Sequence, residues 1–201
     1  MSKLFLSSQF EVVAGLTKKF FGEVNATDIK IAYIPNAEPT KEATNRNSYK
    51  TLEFLAFKEI VVTDIERLEK HKVKNIFDEC QAIFVAGGDA IYLMDKLRET
   101  GIDGLLTQEI KKGKFYLGSS AGSMIMGEKI KTTKHLGQKT TSGLGLIKFS
   151  ILPHWGKEGD NDYQDKKMEL IRESYHEKLS VMTLRDDQVI VMENDKMEVW
   201  S

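Results

Sequence analysis

"KFYLGSSAGSMIMG", residues Lys114 to Gly127, runs from a short apolar segment through a glycine-framed serine cluster into a helix-compatible one. Within it, Gly118-Ser119-Ser120-Ala121-Gly122 fits the pattern G-x-S-x-G, and only Ser120 holds the central position. That pattern belongs to a sharp strand-to-helix turn that lifts one side chain clear of a sheet. Glycine on both flanks leaves space for a strained backbone and for neighbouring strands. The first N–H groups of a helix have no intrahelical acceptor, so the N–H of Ala121 is a candidate oxyanion donor beside Ser120. Ser119 is expected to face away and Ser123 to lie one turn along the helix, both as packing or hydrogen-bonding neighbours. The bland alternative is a structural or anion-binding turn; the strand before and the helix after favour the catalytic reading.

Outward from this turn, short apolar runs alternate with amphipathic ones. KLFLSS (Lys3–Ser8), IKIAYIPN (Ile29–Asn36), IVVTDIE (Ile60–Glu66) and AIFVAGGD (Ala82–Asp89) read as strands. Between the first two, Phe10, Val13, Leu16 and Phe20 recur at helical spacing, and further on Leu52, Leu55, Ala56 and Ile60 form one stripe. RLEKHKVKNIFDE and AIYLMDKLRET read as further helices,. The polar segment NAEPTKEATNRN (Asn36–Asn47) reads as an exposed loop,. Strands separated by helices imply βαβ units and a parallel sheet. The tail differs: SVMTLR, QVIVMEND and MEVWS are strand-like runs parted by Asp186-Asp187 and Asn194-Asp195, which suggests a small antiparallel addition or a sheet edge. The expected architecture is therefore α/β, a parallel sheet mixed at its edge and flanked by helices, in one domain over residues 1–201. Ligands of such sheets bind outside the carboxyl ends of the strands, which puts the expected site between VAGGD and LGSSAG.

Composition narrows the function classes. The chain has 201 residues, of which 41% are hydrophobic and 29% charged, the balance of a soluble globular protein,. With 29 basic against 30 acidic residues its net charge is −1, which argues against nucleic acid or an anionic membrane as partner,. The lone cysteine, Cys80, enters an apolar run and reads as a buried structural thiol,. The start, MSKLFLSSQFEVV, lacks a signal-peptide pattern, and no apolar run is long enough to span a bilayer,. The expectation is a cytoplasmic protein.

A serine hydroxyl needs a base. His71 and His176 fall on charged helical faces, and His135 in a loop. His154, in SILPHWGKEGD, directly follows the apolar run Phe149–Leu152 and so sits at a strand end, which makes it the choice over His135. For an acid to orient the base, Asp160 and Asp162 lie in a polar loop, whereas Asp186 follows an apolar run at another strand end, with Asp187 its immediate rival. The chain order serine, histidine, acid differs from the order of the α/β-hydrolases. In VAGGDAIYL (Val85–Leu93), paired glycines allow close backbone approach, so the N–H of Gly88 is a second candidate oxyanion donor. G-x-G-x-x-G and the P-loop motif do not occur, and no cluster shows metal-ligand spacing, so neither cofactor nor metal is expected,.

FVAGGDAIYLMDKLRETG, FYLGSSAGSMIMG with KTT shortly after, ILPHW, and SVMTLRDDQVIVMENDKMEV stand in an order that resembles the aspartyl dipeptidase (peptidase E) family of serine peptidases, with cyanophycinases as more distant relatives. The resemblance runs from KLFLSS to the last strands. It implies an α/β fold like the class I glutamine amidotransferases, with Ser120 as nucleophile and His154 as base. It also implies the N–H groups of Gly88 and Ala121 as oxyanion donors, and Asp186 in the place of the family's glutamate. Two departures bear on specificity. Asp89 stands at a candidate substrate-binding position where the family commonly has an asparagine or similar residue, and NDYQDKKMEL replaces an arginine-bearing segment. An acidic Asp89 without that arginine disfavours an anionic aspartyl side chain. The expectation is a serine-type peptidase acting on short peptides without marked preference for Asp-X. The alternatives are a non-catalytic relative that binds a small ligand, and an esterase or amidase acting on a non-peptide substrate.

Overall fold

The computed structural model of the chain describes residues 3–38, 42–133, 140–156, 161–194 and 196–201. His135 and Asp160, weighed above for the base and the acid, lie outside the described residues.

The sheet is built from β1 (Lys3–Ser7), β2 (Lys30–Ile34), β3 (Glu59–Val62), β4 (Ala82–Val85), β5 (Phe115–Ser119), β10 (Val189–Glu193) and β11 (Lys196–Trp200). Its seven strands run in the order β11-β10-β1-β5-β4-β2-β3. From β1 to β3 every pairing is parallel, and β10 and β11 add an antiparallel edge. The expected mixed architecture is therefore present. Two short pairs lie outside this sheet: β6 (Lys129–Ile130) with β7 (Thr141–Ser142), antiparallel, and β8 (Ser150–Leu152) with β9 (Val181–Thr183), parallel.

The strands read as continuous apolar runs because both faces of the sheet are covered. Alternate residues point to opposite faces. Leu4, Leu6, Ile83, Val85 and Tyr116 pack into one core beneath α4 (Lys70–Glu79), α5 (Ala90–Glu99) and α6 (Ile102–Lys111). Phe5, Ile31, Tyr33, Phe84 and Leu117 pack into the other, against α1 (Phe10–Val13), α2 (Thr17–Phe21) and α3 (Asn47–Phe54). The remaining helices are α7 (Ala121–Met124), directly after β5, and α8 (Asn161–His176), between β8 and β9.

Three local expectations need correction. The segment after β1 is not one helix: a 3-10 turn at Ala14–Leu16, containing Gly15, separates α1 from α2. The tighter turn still buries Phe10, Val13 and Phe20, so the apolar spacing survives a change of helix type,. The stripe Leu52, Leu55, Ala56, Ile60 does not exist, because α3 stops at Phe54, Ala56 adopts a left-handed φ of 55°, and Ile60 belongs to β3. Finally, the polar segment before α3 is not uniformly exposed, since Arg46 is only 4% exposed. Cys80 is buried as expected, and burial pushes its thiol up to about 11, far from a reactive thiolate,.

Candidate active site

The carboxyl ends of β1, β5 and β4 meet where the sheet order turns, and the chemistry-bearing residues gather there. Ser120, the residue after β5, has φ 47° and ψ −103°, a conformation that non-glycine residues rarely adopt,. The surroundings hold it there. Its N–H donates to the Ser7 carbonyl at 3.0 Å, and its carbonyl accepts from the N–H of Ser123 and of Met124, both at 2.9 Å. A side chain at Gly118 would come within 2.7 Å of the Gly122 backbone, and one at Gly122 within 2.2 Å of the Val85 carbonyl oxygen. The G-x-S-x-G spacing thus records two close backbone approaches. The neighbouring serines brace the turn as expected: Ser119 Oγ accepts from the Phe10 N–H at 3.3 Å, and Ser123 Oγ donates to the Ser7 carbonyl at 2.7 Å. The buried Tyr116 hydroxyl donates to the Gly122 carbonyl at 2.6 Å, and burial holds that phenol well above its ordinary pKa, so it stays a donor.

Ser120 Oγ lies 3.0 Å from His154 Nε2, and His154 Nδ1 lies 2.6 Å from Asp186 Oδ1. The small parallel sheet explains why the last two meet. Leu152 of β8 pairs with Thr183 of β9, and the pairing continues past the strand ends through Leu184 N–H to the Leu152 carbonyl (3.0 Å) and Trp155 N–H to the Leu184 carbonyl (3.1 Å). Residues beyond the two carboxyl ends are thereby carried side by side. Asp187 is excluded from this contact: it is exposed and pairs with Arg185 at 2.9 Å. His71 pairs at the surface with Glu69, and His176 is exposed next to Tyr175; neither belongs to this constellation.

The model of peptidase family S51 matches residues 4–200. The chain belongs to that family. It is a hydrolase of the serine peptidase type. An uncharacterized peptidase of Listeria monocytogenes is 31% identical to this S51 peptidase over 168 residues, covering 77% of this chain and 78% of its own. Cyanophycinase of a Nostoc species is 27% identical over 143 residues, which are 66% of this chain and 48% of the cyanophycinase. A Listeria monocytogenes crystal structure provisionally assigned to peptidase E superposes with a TM-score of 0.82 at 25% identity, covering 100% of this chain and 98% of that one.

Two cavities flank Ser120 in this S51 peptidase. One, about 170 Å³, is lined by Asp89, Met124, Lys131, Thr132, Leu152 and Tyr163 among others. The second, about 370 Å³, is lined by Ser8, Glu11, Glu38, Arg46 and Asn47 together with Gly88 and His154. A larger cavity of about 660 Å³, at the ends of β2 and β3, contains neither Ser120 nor His154, so size alone does not mark the site. Asp89 stands in the wall of the smaller cavity, but its carboxylate also caps α5, accepting from the N–H groups of Ile91 (3.0 Å) and Tyr92 (3.1 Å),. Lys131 in the same wall donates to Glu173 (3.2 Å) and Glu177 (2.7 Å). Gly88 has φ 142°, and a side chain there would fall 2.2 Å from the Ala37 carbonyl oxygen, so only glycine fits. No group of three or more histidine, cysteine, aspartate or glutamate residues among the described residues could hold a metal ion. No helix among them is long and apolar enough to cross a membrane.

Sequence reasoning missed two residues that touch the histidine and the acid. Ser8 Oγ donates to Asp186 Oδ1 at 2.6 Å and accepts the His154 backbone N–H at 2.7 Å. Lys167, buried on α8, donates to the His154 carbonyl. His154 has φ 58°, and its strained peptide is therefore held from both ends,. Ser8 directly follows β1, as Ser120 directly follows the neighbouring β5.

Proposed function

We propose that this S51 peptidase hydrolyses short peptides with Ser120 as nucleophile, His154 as general base and Asp186 as the orienting acid. The observation that carries this reading is the unbroken hydrogen-bonded series from Ser120 Oγ through the His154 ring to Asp186. With Asp186 ionised, the ring proton belongs on Nδ1, leaving Nε2 free to accept the Ser120 proton. Ser120 Oγ attacks the scissile carbonyl as His154 takes its proton. The oxyanion is met by the N–H groups of Gly88 and Ala121. Collapse breaks the C–N bond, with His154 returning the proton to the leaving amine. Water, deprotonated by His154, then attacks the acyl-enzyme, and release of the acid restores Ser120. Asp186 is one methylene shorter than glutamate, yet its distance to the ring is that of a charge-assisted hydrogen bond,. This favours turnover over a merely ligand-binding role.

The flanking cavities, about 170 and 370 Å³, are of a size that suits short peptides. The Asp89 carboxylate in the smaller one opposes an aspartyl side chain at that position. The test is a dipeptide panel with matched esters, assayed alongside labelling by a fluorophosphonate. Amide hydrolysis of several uncharged dipeptides, with Asp-X no better than the rest, is expected. Absence of both labelling and peptide turnover would sink the proposal, and turnover of esters alone would move it to an esterase.

Ser8 gives a further expected outcome. Ser8→Ala removes a donor to Asp186 and an acceptor for the His154 N–H at once. Hydrogen bonds to charged groups contribute about 1.5–3 kcal/mol, so kcat should fall roughly 10- to 100-fold, with KM little changed. Steady-state kinetics on the best dipeptide, with a melting curve to exclude misfolding, check this.

A further inference from the structure

Beside Ser120 lies the Gly87–Gly88 peptide, both of whose residues are glycine. Neither residue has a Cβ to bias the backbone, and Gly88 already lies at φ 142°,. The chain is pinned on both sides: the Ala86 N–H donates to the Ile34 carbonyl at 3.0 Å, and the Asp89 N–H donates to the Ala37 carbonyl at 2.7 Å. Between those anchors, the Gly87 carbonyl accepts a hydrogen bond from Arg46 Nη1 at 3.0 Å. Arg46 is itself fixed. Its Nη2 donates to the Glu38 carbonyl at 2.7 Å and lies 3.6 Å from the Glu38 carboxylate, and the side chain is 5% exposed.

A trans peptide is planar, with its C=O and N–H directed oppositely. Whatever holds the Gly87 oxygen therefore also sets the direction of the Gly88 N–H. A flip of this peptide would exchange a donor for a carbonyl oxygen, which would repel a developing oxyanion instead of stabilising it. The guanidinium is suited to preventing that flip, because its donors form a rigid planar fork that engages two carbonyls at once. The arrangement is poor as a purely stabilising device. A buried cation is costly, and among the described residues Arg46 Nε is buried without a hydrogen-bond partner, which adds to that cost,.

We propose that Arg46 is a positioning residue for the oxyanion site, locking the Gly87–Gly88 peptide with the Gly88 N–H toward Ser120. This rests on the serine-peptidase reading of Ser120 and Gly88 above. Removing one oxyanion donor costs about 100- to 1,000-fold in kcat, and Arg46→Met should approach the lower figure.

The test measures kcat, KM and the pH profile of wild type, Arg46→Met and Arg46→Lys on the best dipeptide, together with affinity for a peptide boronic acid of matching acyl residue. The boronate adds to the nucleophile and presents a tetrahedral oxyanion-like oxygen. Arg46→Met should lose about 100-fold in kcat and a similar factor in boronate affinity, with KM and the pH midpoint unchanged. Arg46→Lys, which keeps the charge but not the fork, should fall between. If the methionine variant fails to fold, the lysine variant carries the comparison, and wild-type kcat in it overturns the inference. A raised KM with kcat intact would instead make Arg46 a clamp for substrate and also overturn it. Wild type that neither turns over peptides nor binds the boronate would bring down the underlying reading, and this inference with it.

Discussion

Ser120→Ala should abolish peptide hydrolysis, lowering kcat by a factor on the order of a million, and should end labelling by a fluorophosphonate. The variant is clean for a structural reason. The fold fixes Ser120 through its backbone, by the Ser7 carbonyl behind it and the Ser123 and Met124 N–H groups ahead. Among the described residues its side chain hydrogen-bonds to His154 Nε2, at 3.0 Å. Alanine at φ 47° is strained no more than serine, so the melting temperature should stay within about 2 °C,. Activity near the wild-type level in this variant would remove Ser120 from the mechanism outright. Residual turnover above the uncatalysed rate is still expected from the oxyanion donors and substrate binding, which the substitution leaves in place.

Asp186→Asn is the second large effect, about 10,000-fold in kcat. Asparagine preserves the shape of the site but removes the charge that favours a proton on His154 Nδ1. If the amide presents its NH₂ group to Nδ1, the ring proton moves to Nε2, which then faces Ser120 as a donor and cannot accept its proton. The Ser8 hydroxyl would lose its ionised acceptor in the same step. Asp187→Asn is the internal control. Asp187 is exposed and bound to Arg185, so its replacement should leave kcat within about two-fold, the scale of an exposed ion pair,. Comparable losses in the two variants would mean that the acid has been misassigned.

These two adjacent aspartates show where sequence reading reaches its limit. The turn at Ser120 was legible because steric need leaves a mark in composition: two glycines stand where a Cβ would strike backbone. His154 was legible because it directly follows an apolar run. Asp186 and Asp187 share that property, and only the direction of the backbone beyond β9 separates them. Ser8 escaped notice because its role depends on β1 lying beside the ends of β8 and β9, a juxtaposition no local pattern encodes. Arg46 was read as exposed because its neighbours are polar, whereas its burial comes from carbonyls at Glu38 and Gly87, the second far along the chain. The parallel sheet was legible for the opposite reason. Burial on both faces imposes continuous apolar runs, and such runs survive local errors such as the extended α3 stripe.

The placement of His154 and Asp186 beyond a separate two-stranded sheet bears on how such an enzyme can change over generations. Their partnership is set by the register of β8 against β9, where a slip of one residue would turn every side chain to the other face. Insertions and deletions within those strands are therefore barred, while substitutions that respect the register are not. Ser120 belongs to the main sheet and is under a different constraint, the two glycine contacts of its turn. One half of the proposed catalytic apparatus can thus be remodelled without rebuilding the other, provided that the interface between the two sheets is kept.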